Sequence, residues 1–334
     1  MAAGSLVDAE ASTLPSLVEI REAQKLIYSV MQATPQISWP LLNQALNAEV
    51  WVKHENHTPI GAFKARTAVV YAAELFQGPT QVRGLIAATR GNHGQSVALA
   101  GRSFRVPVTI VVPFGNSSEK NAAMRAQGAN VLEFGHDYQA AREHAESLAE
   151  QLGLHFVPAY HRNIVKGVAT YWLEIFENVP DLDCVYVPIG MGSGICAACA
   201  VRNGMGLKTK IIGVVADLAP AYALSFEARK AVSAAATTAI ADGIACRTPD
   251  EAAVAIICKN VERVLRVTDD EIRAAMKLFF IATHNVAEGA GAASLAAALQ
   301  ESEVLGGKRV GVIATGGNVD HDVFAAVLRS APLP

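Results

Sequence analysis

The chain is poor in charge, aromatic rings and cysteine. Asp, Glu, Lys and Arg make up 18% of its 334 residues, and Phe, Trp and Tyr 6%. With 28 basic and 31 acidic side chains, the net charge is −3. No positive excess is present to grip nucleic acid or an anionic membrane surface, so neither partner is expected. Five cysteines, an odd number in a long chain, argue against a disulfide framework and for a reducing compartment, by default the cytoplasm. Cys196 and Cys199 form a lone Cys-x-x-Cys pair without a second pair or a histidine at zinc spacing; they read as small side chains on a helix face. The longest suspicious apolar run without a charge, Cys184 to Val201, is broken by Pro188, Gly190, Gly192 and Gly194, which excludes a membrane span. The N-terminal MAAGSLVDAEAS lacks a basic region leading into an apolar stretch, so it reads as a loose tail and not as a secretory signal.

What the chain has is apolar mass. At 51% hydrophobic residues it is too apolar for disorder, and 334 residues correspond to about two domains. An amphipathic helix is expected over Ser16 to Gln32, then a strand at Glu49 to Lys53 and a helix at Lys64 to Phe76. Strands at Gly84 to Ala88, Val108 to Val112 and Asn130 to Phe134 alternate with helices at Gly94 to Phe104, Glu119 to Gln127 and Asp137 to Leu152. Strand Cys184 to Ile189, helix Ile195 to Asn203 and strand Lys210 to Ala216 continue the series. Thr268-Asp269-Asp270-Glu271 is a capping box opening a helix to about Thr283, and Arg309 to Ala314 is a last buried strand. Continuous apolar strands separated by helices predict an α/β fold whose parallel sheets are covered on both faces. Ligands in such folds bind beyond the carboxyl ends of strands, so the chemistry belongs in the loops that follow them.

Four such loops stand out. In His54 to Arg66, Lys64 lies among Gly61, Ala62 and Phe63 at a loop–helix junction; a desolvated lysine offers a free amine that can condense with a carbonyl, although a helix start also accommodates a plain surface lysine. Thr89-Arg90-Gly91-Asn92-His93 leads a strand into a helix whose amides suit a carboxylate, and Asn92 supplies a side-chain donor; a well-capped turn would look the same. Gly190-Met191-Gly192-Ser193-Gly194 can curl its N–H groups around a phosphate. The same run, with Asp217 at the end of the next strand, also reads as a dinucleotide turn, against which the glycine spacing argues. Thr315-Gly316-Gly317-Asn318 ends the last strand with a small hydroxyl.

Taken together and in this order, these loops resemble the fold-type II pyridoxal-phosphate enzymes, in particular the serine/threonine dehydratase and serine racemase group. The resemblance runs from about Glu22 to Asp320. It implies two three-layer αβα domains with parallel sheets: a small mobile domain over residues 85–158, and a large cofactor-binding domain from 1–84 plus 159–334. It also implies pyridoxal 5'-phosphate held covalently by Lys64, between Phe63 and Gly243, with Asn92 at the phenolic oxygen. The phosphate would lie in Gly190 to Gly194, Thr315 would face the pyridine nitrogen, and Glu288 of Glu288-Gly289-Ala290-Gly291-Ala292 matches the family's acidic residue. Thr89 to His93 would hold the substrate.

The expected chemistry is α,β-elimination from a β-hydroxy amino acid, of the serine or threonine type, giving a 2-oxo acid and ammonia. Lys64 would be the base, and the cofactor phosphate would protonate the leaving hydroxyl. Racemising relatives carry a small hydroxyl residue where Arg90 stands, and a permanently charged guanidinium cannot deliver a proton, so elimination is expected over racemisation. Arg90 would clamp an acidic group or stack over an aryl one, or else face outward as a solvated side chain; the first two keep hydroxyaspartate and phenylserine as alternative substrates. Ala216, Pro220 and Tyr222 stand where some relatives bind a divalent cation, so no metal is expected. Ala62 and Val168 replace usual polar residues. A homodimer is the family's habit. The rival readings are a nicotinamide oxidoreductase using Gly190 to Gly194, and a sensor that retains the pocket without turnover.

Overall fold

The computed structural model describes residues 14–78 and 82–330; the expected tail lies outside them. Among the described residues, ten strands form two sheets. β1 (Gln36–Ser38), β2 (Glu49–Lys53), β7 (Cys184–Pro188), β8 (Lys210–Ala216), β9 (Arg263–Val267) and β10 (Arg309–Ile313) build a six-stranded sheet in the order β1-β2-β10-β7-β8-β9. β3 (Leu85–Ala88), β4 (Val108–Val112), β5 (Asn130–Glu133) and β6 (His155–Phe156) build the other, ordered β5-β4-β3-β6. Every pairing is parallel except β1 with β2, an antiparallel edge pair.

Both sheets are buried on both faces. In β7, Cys184 and Tyr186 enter one apolar cluster with helices Asp269–Thr283 and Gly289–Gln300. Val185 and Val187 enter another with helices Arg162–Asn178 and Ser193–Gly204. In β3, Leu85 and Ala87 face helices Ala65–Gln77 and Asn92–Phe104, whereas Ile86 and Ala88 face helix Tyr138–Leu152. Period-two alternation thus sends apolar side chains into both layers, giving two αβα units.

Thr268 and Glu271 form the expected reciprocal cap, and the helix behind them ends at Thr283. The first helix is shorter than its apolar period, spanning Leu17–Ile27. Ser29 donates its hydroxyl to the Leu26 carbonyl and helps close the last turn. Helix Arg162–Asn178 has no counterpart in the sequence reading; its polar residues Lys166, Thr170 and Glu174 recur every fourth position but are themselves buried, so they form no solvated face.

That helix crosses helix Ala65–Gln77 at Gly167, where a Cβ would come within 2.1 Å of the Arg66 carbonyl oxygen. Beside the crossing lies a buried charge network. Arg66 donates to Glu55 (2.8 and 3.0 Å) and Glu174 (2.6 and 3.0 Å), and Lys53 donates to Glu174 (2.6 Å) and the Thr34 carbonyl (2.9 Å). Removing one partner of such a set leaves a buried charge uncompensated, at about 3–5 kcal/mol. Gly167→Ala should itself lower unfolding stability by at least about 1–3 kcal/mol, since backbone cannot yield as a side chain can. Urea unfolding of the variant measures the loss, and an unchanged midpoint would contradict the close crossing.

Candidate active site

Strand order assembles the site. β2, β10 and β7 are neighbours, so the loops leaving their carboxyl ends lie side by side: His54 to Lys64, Ala314 to Asn318, and Ile189 to Gly194. The first two are stitched together. Phe63 N–H donates to the Thr315 carbonyl (2.9 Å), Gly317 N–H donates to the Gly61 carbonyl (2.9 Å), and Ala62 pairs with Gly316 as an isolated bridge. The fourth loop, Thr89 to His93, arrives from β3 of the other sheet.

Lys64 stands at the head of helix Ala65–Gln77, and its carbonyl accepts from Ser96 Oγ and Thr67 Oγ1. Its Nζ lies 5.0 Å from the Phe63 ring centre, and Phe63 meets Tyr171 edge-on at 6.2 Å. Loss of hydration lowers the Lys64 amine to about 8, well below an ordinary lysine. His93 is lowered to about 4 by burial and by Lys64, and its Nδ1 is buried without a partner.

The glycine run is shaped for close approach. Gly192 adopts φ +97° as N-cap of helix Ser193–Gly204, and no side chain caps that helix. Its first N–H groups therefore remain available to an anion. A Cβ at Gly190 would lie 2.6 Å from the Gly243 carbonyl oxygen, and one at Gly243 would lie 2.9 Å from Ala290 Cβ. Met191 offers its carbonyl to Tyr222 Oη (2.8 Å), and the Trp172 indole donates to the Gly194 carbonyl (2.9 Å).

Across from this run, Asn92 Nδ2 donates to Glu288 Oε1 (2.7 Å) and Asn92 Oδ1 accepts from Asn318 Nδ2 (2.8 Å). Glu288 N–H donates to the Gly316 carbonyl (3.0 Å). Burial and the nearby Asp242 carboxylate raise Glu288 to about 7, against the opposing pull of Lys120 and Asn92; its Oε2 is buried and unpartnered. Thr315 is buried at the end of β10. Thr89 Oγ1 accepts from the N–H groups of Gly91 (2.9 Å) and Gly94 (3.3 Å), which folds its loop. Arg90 is exposed. Where the cation site of relatives was weighed, Ala216 and Tyr222 are buried and Pro220 caps a helix. The five cysteines are free, and Cys196 and Cys199 are buried on helix Ser193–Gly204.

An amine, an uncapped helix start behind a glycine turn, and buried unpartnered atoms of Glu288 and His93 fit pyridoxal phosphate. The family described as pyridoxal-phosphate dependent enzyme matches residues 27–316. The chain belongs to that family. It is 33% identical over 315 residues to an L-threonine ammonia-lyase of Thermotoga maritima, covering 94% of this chain and 78% of the relative. Similarity to an L-threo-3-hydroxyaspartate ammonia-lyase of Saccharomyces cerevisiae is 30% over 316 residues, covering 94% and 97%. Among solved structures, threonine deaminase isoform 2 of Solanum lycopersicum superposes with a TM-score of 0.84 at 28% identity, covering 95% of each chain. Membership favours the phosphate-cradle reading of Gly190 to Gly194 over the dinucleotide one.

The sequence marks the four loops but gives Asn318 no role, and it does not distinguish Tyr171, Trp172 or Lys120 from ordinary core and surface residues. Asn318 closes the Thr315-Gly316-Gly317-Asn318 run, which was its one signal. Tyr171 and Trp172 had none, since their helix was not read from the sequence.

Because Lys64 is depressed to about 8, its neutral form grows as pH rises through 8 instead of through 10.5. Cofactor capture by the apoprotein, followed by the visible band, should therefore accelerate with a midpoint near 8, and Lys64→Ala should show no reducible band. A midpoint above 10 would remove the desolvation argument. Glu288 holds its proton below about 7 and releases it above. Any visible-band transition of the holoenzyme near pH 7 should vanish in Glu288→Gln; its survival would assign the transition elsewhere.

Proposed function

We infer that this chain is a pyridoxal-phosphate-dependent ammonia-lyase that eliminates the β-hydroxyl of an amino acid of the serine or threonine type, leaving a 2-oxo acid and ammonia. The observation that carries this reading is the Lys64 amine, lowered to about 8 at the junction of loops from both sheets. When bound, pyridoxal phosphate supplies the electron sink for charge at the substrate α-carbon.

The residues do the rest. The N–H groups at the start of helix Ser193–Gly204 would hold the cofactor's phosphate. Phe63 and Gly243 would pack on its ring, Asn92 would meet its phenolic oxygen, and Thr315 would offer a neutral hydroxyl to its nitrogen. Lys64 Nζ takes the proton from the substrate α-carbon, a role its lowered pKa suits at neutral pH. Thr89 to His93 receive the substrate carboxylate on the amides opening helix Asn92–Phe104. Arg90, exposed on that loop, can meet a second acidic group but cannot return a proton to the opposite face. The hydroxyaspartate reading draws support from the Saccharomyces cerevisiae relative. Residues 85–158, which hold the four-stranded sheet, are the mobile unit that closes the loop over the cofactor. Among the described residues no helix is long and apolar enough to cross a membrane. A cytoplasmic homodimer completes the proposal.

Ammonia release tested on serine, threonine, hydroxyaspartate and phenylserine decides the matter. Turnover of at least one is expected, and Lys64→Ala should cost about 10²–10⁴-fold as a lost general base. Arg90→Ser should raise KM about tenfold for hydroxyaspartate alone if the guanidinium clamps its second carboxylate. A yellow holoenzyme inert to all four would overturn the lyase reading in favour of a sensor.

A further inference from the structure

One cationic side chain crosses from the four-stranded unit to the cofactor side of the six-stranded one. Lys120 stands in the first turn of helix Ser118–Ala126, which follows β4. Its stem passes over the proposed substrate loop: a Cβ at Gly91 would lie 2.9 Å from Lys120 Cδ. Its ammonium ends 2.6 Å from Asp242 Oδ2, and its side chain is only 12% exposed. Asp242 immediately precedes Gly243, against which Gly190 and Ala290 pack.

The surroundings make this contact more than a surface ion pair. Lys120 feels the charges of Asp242, Glu288 and Asp320 together, so it is the cation among three carboxylates at the cleft. Its neighbours reach the same way. Ser117 Oγ donates to Asp320 Oδ1 (2.5 Å), and Glu119 Oε1 accepts from His321 N–H (3.2 Å) and meets its ring Nδ1 (2.5 Å). All three carboxylates belong to the six-stranded unit, so removing the Lys120 charge would delete the attraction that draws the four-stranded unit onto them.

We propose that Lys120 is a positioning residue: bridging to Asp242 across Gly91, it holds the loop Thr89–His93 closed over the cofactor side. The proposal rests on reading that loop as the substrate loop. It also gives a reason for glycine at 91, where an added Cβ would meet the Lys120 stem. An added methyl would press on the lysine stem, a flexible chain that can move, and would pull the ammonium from Asp242 without a backbone clash. Gly91→Ala and Lys120→Met should therefore fail in the same way.

The test uses the holoenzyme and two readouts. Amide hydrogen exchange across residues 89–95 should accelerate about tenfold in Lys120→Met and Gly91→Ala relative to the wild type, as expected for a loop released from a closed state. Lys120→Arg should restore slow exchange. For whichever of threonine, serine, hydroxyaspartate or phenylserine is turned over, Lys120→Met should raise KM about tenfold, with a smaller change in kcat. Matching far-UV circular dichroism and visible bands establish that each variant is folded and loaded. Wild-type exchange rates in Lys120→Met would overturn the proposal, as would fast exchange that Lys120→Arg leaves unrepaired. If none of the four amino acids reacts, the lyase reading fails while the exchange comparison still decides the role of Lys120.

Discussion

The site depends on one junction. Lys64 heads a helix whose Ala68, Val69 and Ala72 pack beneath the four-stranded sheet, yet the residues before it are hydrogen-bonded to the end of β10 in the six-stranded sheet. The amine is consequently fixed where the two units meet and enclosed from both sides. Enclosure strips its hydration, and that lowers its pKa. Its helix is in turn anchored two residues on, where Arg66 enters the buried network with Glu55 and Glu174. Such a network adds little net stability over an apolar core, but its geometry permits few alternatives.

Electrostatics at the cleft follow from scarcity of charge. With so few ionisable side chains, those facing the cofactor region act strongly on one another. Glu288 is pushed up by burial and Asp242, and the Lys120 ammonium offsets both carboxylates. Asn92 satisfies one oxygen of Glu288 and is oriented by Asn318, so a neutral amide pair links the Thr89–His93 loop to the end of β10. Acid–base behaviour at this point is a property of the assembled group, not of any single residue.

Much of the chemistry was legible along the chain. Lys64, Asn92, the glycines of Gly190 to Gly194 and Thr315 each follow an apolar strand and precede or face a helix, a pattern readable from period and composition. The Thr268 capping box predicted its helix because the interaction is local. Helix Arg162–Asn178 escaped although Lys166, Thr170 and Glu174 recur at helical spacing; Lys166 and Glu174 answer Glu74 and Arg66 from a helix 92 and 108 positions away and not solvent. Asn318 and Lys120 escaped likewise: their partners Asn92 and Asp242 stand 226 and 122 positions away.

Sequence alone determined which local pieces exist, because apolar alternation, caps and glycine turns act over a few residues. It singled out Lys64, the Gly190 to Gly194 run and the Thr89 to His93 loop as candidates. Only the tertiary structure decided that β10 lies between β2 and β7, which sets Thr315 beside Phe63 and brings the loops together. It alone laid Lys120 across Gly91 onto Asp242. Such adjacency depends on how whole sheets and helices share one buried core, a constraint that no short window of residues contains.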